Sequence, residues 1–369
     1  MLVGCSSSTS TDDQGGDTAS GVATAKIGYI GFLSGGGAAY GEAQKKGLEL
    51  AQEELNEKYK GQLKIDLIME DSAGKKESAI NAVNKLISKD EVVAIIGPTL
   101  SGSMFAAGPI ANEAETPIFG ISTTAEGIND IGEYVFRNSL PESVAIPAAM
   151  KQAVEKNDIK KVAMIYASND DFAVSGYKTM KQTAEDLGLT ITAEETFSDG
   201  DVDFSAQLTK IKGTNPDALL VSALYKEGSL VVKKARELGI DVTIVGGNGF
   251  NNPKVFEIAG DAAHDLIVAT PFSAERDDAK VQDFVKNFQA KYNSKPDQFA
   301  AQAYDGLYIL ADAIVKADAA DDRNALRDQL AKLKDFNGVS GSLSFDEKRN
   351  PIGDPVVVVA KDGKFVPYE

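Results

Sequence analysis

The chain has 369 residues, a formal net charge of −17, 43% hydrophobic and 25% charged residues. That length predicts two domains or one large two-lobed unit, and the composition is that of an ordinary globular protein. The acidic balance argues against nucleic acid or an anionic membrane surface as a partner, and a single cysteine, a single histidine and no tryptophan exclude zinc sites built from several Cys or His ligands.

In chain order, Leu2-Val3-Gly4-Cys5 resembles a bacterial lipobox, whose cysteine is lipidated. About twenty small polar residues follow, with no apolar period, and read as a flexible tether. The basic and apolar stretch that ordinarily precedes a lipobox is missing, so an ordinary polar N-terminus is the alternative. Residues 1–25 are read as this anchor and tether. No later apolar run is long enough to span a membrane. The expected location is therefore extracytoplasmic, held to the cell membrane by lipid at Cys5.

From Lys26 onward, short Val/Ile-rich runs alternate with amphipathic segments. "KIGYIGF" predicts a strand, 41–58 a helix with Ala43, Gly47, Ala51 and Leu55 on one stripe, "LKIDLIM" a strand and 78–88 a helix. "VVAIIG" and "TPIFGIS" predict two more strands. The alternation restarts at "KKVAMIYAS" and runs through a helix at 174–187, strand "TITAEETF", a helix at 204–211, strand "DALLVSA", a helix at 227–238 and strand "VTIVGG". After "DLIVATPF" come helices at 277–292, 298–317 and 323–333, then terminal strands with "KDG" as a tight turn. This spacing implies parallel sheets covered on both faces, with right-handed crossovers. A faint echo between the segments around Tyr40-Gly41 and Phe172-Ala173 suggests two similar α/β lobes.

Enzyme motifs fail in detail. In "GFLSGGGAAYG" the third glycine of a dinucleotide fingerprint is Tyr40, and no Lys-Ser/Thr pair follows to make a phosphate loop. Asp199, Asp201 and Asp203 have calcium-loop spacing, but the sixth position is Phe204 and the twelfth Lys210, so they read as a solvated turn. His264 reads as a surface or packing residue. No nucleophile elbow occurs. Hydroxyls, glycines and aromatics remain at the ends of predicted strands, the edge where open parallel sheets bind ligands.

"IGFLSGGGAAYGE", "AIIGPTLSGSM", "TPIFGISTTAEGI", "KKVAMIYASNDDFAVSG", "DFSAQLTKIKGTNPDALLVSA", "KKARELGI", "FAAQAYDGL" and "VSGSLSFDEKRNP" occur in the order found in one family. The chain resembles the substrate-binding lipoproteins of branched-chain amino-acid type ABC transporters, the type I periplasmic binding proteins, over nearly all of Lys26 to Glu369. The resemblance implies two doubly wound α/β lobes joined by three crossing strands, near Ser139–Pro141, Thr270–Phe272 and Gly341–Ser344. It places the N-terminal lobe at 26–140 and 271–341 and the C-terminal lobe at 141–270 and 342–369. By the same resemblance Ser101 binds a ligand α-carboxylate with Ser103 nearby, and Ser122 and Thr124 contribute backbone groups and a hydroxyl. Neutral donors at helix starts suit that task. Tyr40, Phe172 and Tyr225 match the family's aromatics around the ligand, and Phe299 is either wall or core.

One departure stands out. Where the family often has an acid to pair with the ligand ammonium, this chain has Asn248. Either Asp170, Asp171 or Glu227 supplies the charge, or the ligand has no ammonium. The resemblance implies capture of a small carboxylate ligand, foremost an aliphatic amino acid, and delivery to a membrane permease by a monomer without cofactor, metal or chemistry. The alternatives are an amide, urea or aromatic acid as ligand, a sensory role for the same fold, or an enzyme.

Overall fold

The structure, a computed structural model, describes residues 22–369. The lipobox cysteine, Cys5, lies outside the described residues. The chain opens with β1 (Ala23–Gly31), α1 (Ala38–Lys58), β2 (Leu63–Asp71), α2 (Lys76–Ser88), β3 (Ala94–Ile96), α3 (Ser101–Glu113), β4 (Ile118–Gly120) and β5 (Val135–Arg137). These strands form one all-parallel sheet in the order β2-β1-β3-β4-β5. The fully apolar, fully buried "AII" of β3 and "IFG" of β4 belong to a sheet covered on both faces.

The second sheet is built from α4 (Glu142–Asn157), β6 (Lys161–Ala167), α5 (Asp171–Asp186), β7 (Thr190–Phe197), α6 (Ser205–Gly213), β8 (Ala218–Ser222), α7 (Tyr225–Glu237), β9 (Thr243–Gly246), α8 (Lys254–Ala259) and β10 (Leu266–Thr270). Helices α9 (Ala279–Tyr292), α10 (Gln298–Ala317) and α11 (Arg323–Leu330) follow, then β11 (Phe336–Gly338), β12 (Gly341–Phe345), β13 (Pro351–Ile352), β14 (Val356–Lys361) and β15 (Lys364–Pro367). The seven-stranded order is β15-β14-β10-β9-β8-β6-β7. Its last two strands run antiparallel, joined by a turn in which Asp362 and Gly363 both have positive φ, 50° and 73°. Two left-handed residues in sequence make the tight hairpin that "KDG" predicted.

Each sheet is a core with two faces. Leu48 and Ala51 of α1, Leu310 and Ile314 of α10 and Leu326 of α11 pack on one face of the first sheet, and α2 and α3 cover the other. In the second sheet α6, α7 and α8 cover one face while α4 and α5 cover the other. The chain leaves the first sheet after β5 and the second after β10, and β11, β12 and β13 form a small antiparallel sheet of their own before β14 rejoins the second.

Helices α3 and α4 are absent from the sequence reading. Both carry an internal proline, Pro109 and Pro147. In α3 small residues such as Gly102, Ala107, Gly108 and Ala111 are buried. A face of small residues between two other layers leaves no amphipathic stripe for periodicity to detect. Elsewhere the outcome is close: β7 and α10 fall on the predicted limits, while α1 begins three residues earlier than predicted, at Ala38.

Candidate functional site

The carboxyl ends of the two parallel sheets face each other, so the loops that follow their strands meet in the middle of the molecule. The loop after β1 carries Tyr40 on the first turns of α1. The loop after β3 brings Thr99 and Ser101, and the loop after β4 brings Ser122 and Thr124. From the other lobe come Phe172 on α5, Leu224 before α7, and Asn248 and Gly249 after β9. Between them lies a cavity of about 20 Å³, about the room of one water molecule. Thr99, Ser101 and Ser122 form its polar side, and Tyr40, Phe172, Leu224 and Phe299 its apolar side. Asn248 and Gly249 complete the wall.

Tyr40, Ser101, Ser122, Phe172 and Asn248, all named from sequence, therefore line one cavity, and Phe299 joins them as wall. Thr124 and Tyr225 do not line the cavity but stand behind it. The Thr124 hydroxyl donates to Glu142 Oε1 at 3.3 Å. The Tyr225 hydroxyl donates to the Gly36 carbonyl at 2.9 Å, and its ring meets Tyr40 edge-on at 4.9 Å between centroids. The opening glycine loop is thus a backbone platform for the opposite lobe, with Gly35 at φ +100° making the turn.

The polar side shows which groups are free. Ser122 Oγ is committed: it donates to the Thr99 carbonyl at 2.5 Å and accepts from Gln44 Nε2 at 2.8 Å. Thr99 Oγ1 is committed too, accepting from Phe32 N at 3.0 Å and donating to Gln44 Oε1 at 2.7 Å. Ser101 differs. Its Oγ accepts from Ala125 N at 3.3 Å, and among the described residues its proton has no acceptor. It is the first residue of α3, a helix of 13 residues whose initial N–H groups are also unspent. Hydroxyl, amides and helix dipole are together donors of the kind that can hold a carboxylate without a buried cation. Nearby, Ser103 Oγ and Thr123 Oγ1 are buried without partners among the described residues.

Tyr40 closes the cavity from above. Its hydroxyl donates to the Gly249 carbonyl at 2.5 Å and accepts from Tyr225 N at 2.7 Å, both in the opposite lobe. Burial holds this phenol well above its usual pKa, so it stays a donor at all ordinary pH. Gly249 cannot be larger, since a Cβ there would lie 2.2 Å from the Ala223 carbonyl. At the lip, Lys76 pairs with Asp171 at 2.6 Å and Ser175 Oγ accepts from Glu126 N at 3.0 Å, again lobe to lobe.

The acids that could replace position 248 do not line the cavity, although Asp170 and Glu227 both act on the Tyr40 phenol. Asp170 caps α5 by accepting from Ala173 N at 2.8 Å and faces a wider, solvent-open groove that Asp171 shares. Burial raises the Asp170 pKa to about 6. Glu227 lies in the first turn of α7, 3.8 Å from Lys226. The carboxylate that does abut the wall is Glu142, which sequence reasoning passed over. It is fully buried, and its Oε1 accepts from Asn248 N at 3.0 Å. Desolvation raises its pKa to about 7 against the opposing pull of that N–H and of Thr124. In the sequence an acid after Pro141 is an unremarked helix-start residue; only the fold buries it. His264 is on the surface, 2.9 Å from Asp241.

Residues 24–364 match the periplasmic binding protein family. The chain belongs to that family. Among curated relatives, the leucine-, isoleucine-, valine-, threonine- and alanine-binding protein of Pseudomonas aeruginosa is 27% identical over 88% of this chain and 86% of its own length. Among solved structures, the branched-chain amino acid transporter substrate binding protein LivJ of Streptococcus pneumoniae, in complex with isoleucine, is 34% identical with a TM-score of 0.86, covering 93% of this chain and 97% of that one. The leucine binding protein LivK of Thermotoga maritima is 29% identical with a TM-score of 0.87, covering 94% and 98%. A solute binding protein of Rhodopseudomonas palustris in complex with benzoate is 25% identical with a TM-score of 0.84, covering 94% and 96%. The expected two-lobed fold of this periplasmic binding protein is the one observed.

Proposed function

We propose that this periplasmic binding protein captures a small aliphatic amino acid, foremost leucine, isoleucine or valine, outside the cytoplasm and delivers it to an ABC permease. The observation that carries the reading is the polarity of the cavity. A carboxylate seat at Ser101 and the start of α3 shares the cavity with the apolar Phe172, Leu224 and Phe299. An α-carboxylate with a short aliphatic side chain satisfies both kinds of lining, and parting of the lobes widens the cavity of about 20 Å³ to admit it. Tyr40 and Asn248 contact the ligand from the wall, Tyr225 buttresses Tyr40, and Thr124 acts from behind. The lobes are proposed as 26–140 with 271–341, and 141–270 with 342–369. Lipid attachment at Cys5 and a monomeric state belong to the same reading, as does a binding role without chemistry.

The test is thermal unfolding of the purified protein against amino acids, their 2-keto acids and aromatic acids, since a ligand bound only by the folded state raises the midpoint. Leucine, isoleucine or valine should shift it most. A midpoint unmoved by every aliphatic amino acid would overturn the proposal. Asn248 favours one second reading, an acid without an ammonium such as benzoate, which would then shift the midpoint alone.

A further inference from the structure

We propose that Glu142, at the start of α4, is the carboxylate that meets the ammonium of the bound amino acid, in place of an acid at position 248; the inference rests on the amino-acid reading above. A buried ammonium needs a counter-charge, because an uncompensated one is strongly unfavourable in a desolvated site. Asn248 supplies none, and its amide oxygen is already spent. Oδ1 accepts from Gln298 Nε2 and, at 3.4 Å, from Asn251 Nδ2. The loop residue is thus a clip between the second lobe and α10, with no acceptor left for the ligand.

Glu142 has what Asn248 lacks. Its Oε1 is held between Asn248 N at 3.0 Å and Thr124 Oγ1 at 3.3 Å, so the carboxylate lies directly behind the wall, at the seam where the two lobes' contributions meet. Its Oε2 is buried and has no hydrogen-bond partner among the described residues. A buried carboxylate oxygen left open asks for a donor. The ligand ammonium brings three. Ionisation of Glu142 is resisted by burial, with Glu126 the charged group acting on it, and its pKa of about 7 falls when a cation arrives.

Calorimetric titration of leucine and of its 2-keto acid into the wild type and Glu142→Gln tests this. Leucine binding should weaken at least about 100-fold in E142Q while the keto acid binds as well or better. Keto-acid binding doubles as the check that the isosteric variant is folded. In the wild type, leucine binding at about pH 6.5 should release protons, read by titration in two buffers of different ionisation enthalpy, and that release should vanish in E142Q. Should E142Q fail to fold, Asn248→Asp decides. With Glu142 already serving the ammonium, a second carboxylate beside it should gain leucine less than about threefold; a gain above about 30-fold would assign the vacant role to position 248 and overturn the inference. A wild type that binds leucine and an E142Q indistinguishable from it would overturn this inference alone. A wild type that binds acids and no amino acid would overturn the amino-acid reading and this inference with it.

Discussion

Replacing Tyr40 by phenylalanine removes one oxygen and leaves the ring. The ring contacts, 4.9 Å to Tyr225 and 4.6 Å to Phe299 between centroids, survive the change. Two hydrogen bonds between lobes do not: the one given to Gly249 O at 2.5 Å and the one accepted from Tyr225 N at 2.7 Å. In an open cleft those two backbone groups turn to water, so their loss counts only when the lobes are shut. A net bond contributes about 1 kcal/mol, so the closed form, losing two, should lose roughly 2 kcal/mol. At about 1.4 kcal/mol per tenfold, that weakens leucine binding about 30-fold. Calorimetry reads the affinity, and small-angle scattering with and without leucine reads the closure. The ligand-free unfolding midpoint should move little. Binding within about threefold of wild type, with the same compaction on ligand addition, would refute the assignment of Tyr40 as the latch.

Ser101→Ala removes the free hydroxyl at the start of α3 and should weaken any carboxylate ligand about 10- to 100-fold, amino acid and keto acid alike; an unchanged affinity by calorimetry would remove Ser101 from the seat. Gly47→Ala puts a Cβ 2.2 Å from the Ala300 carbonyl, where α1 and α10 touch. Overpacking there should outweigh the gain in helix propensity and lower stability by about 1–3 kcal/mol, read as the denaturant midpoint; a more stable variant would show that the helices can part at no cost. The pH dependence follows from burial. Glu142 and Asp297 have pKa values raised to about 7, and Asp305 to about 6, in each case chiefly by desolvation. The folded state therefore holds these protons more tightly than the unfolded chain. Their stabilising contribution is full below the ordinary carboxylate range and is lost as pH rises through about 6 to 7. The ligand-free midpoint should be higher at about pH 5.5 than at 7.5, with a shallower slope in E142Q; a midpoint that falls on acidification across that window would contradict the burial of these acids.

The fold was legible where periodicity is strong. β7 and α10 fall on their predicted limits because β7 is a β-branched run along the sheet edge and α10 a long apolar helix exposed only at Lys316. Helices α3 and α4 were invisible because small residues and a proline blur the stripe in each, although α3 presents Ser101 to the cavity. The site was legible in its first layer. Ser101, Ser122, Tyr40 and Phe172 follow predicted strand ends, and the geometry of parallel sheets brings strand ends together. The layer behind was not. Gln44, which holds Thr99 and Ser122, reads as one more polar residue of a helix, and Glu142 as one more acid near a helix start. Burial by distant segments, which a linear sequence does not display, turns each into a structural partner of the wall.

That second layer ties the cavity to the passages between lobes. Glu142 follows the first passage and holds Asn248 N. Gln298 opens α10, beyond the second passage, and donates to Asn248 Oδ1 while its own Oε1 accepts from Thr270 Oγ1 at 2.8 Å. Thr270 is the last residue of β10, where that passage begins, and its Oγ1 also accepts from Phe272 N at 3.2 Å. Asn251, which reaches Asn248 Oδ1, fixes itself on the Ala269 carbonyl at 2.8 Å. Asn248 is therefore both a wall residue and the knot joining two passages. Truncating it to alanine removes the wall group and the knot together, so a loss of affinity would mix ligand contact with closure. The isosteric change to aspartate keeps an acceptor oxygen for Gln298 and Asn251 while it adds a charge and turns the Nδ2 donor into an acceptor, which is why Asn248→Asp, and not the alanine variant, separates ligand chemistry from hinge mechanics at this position.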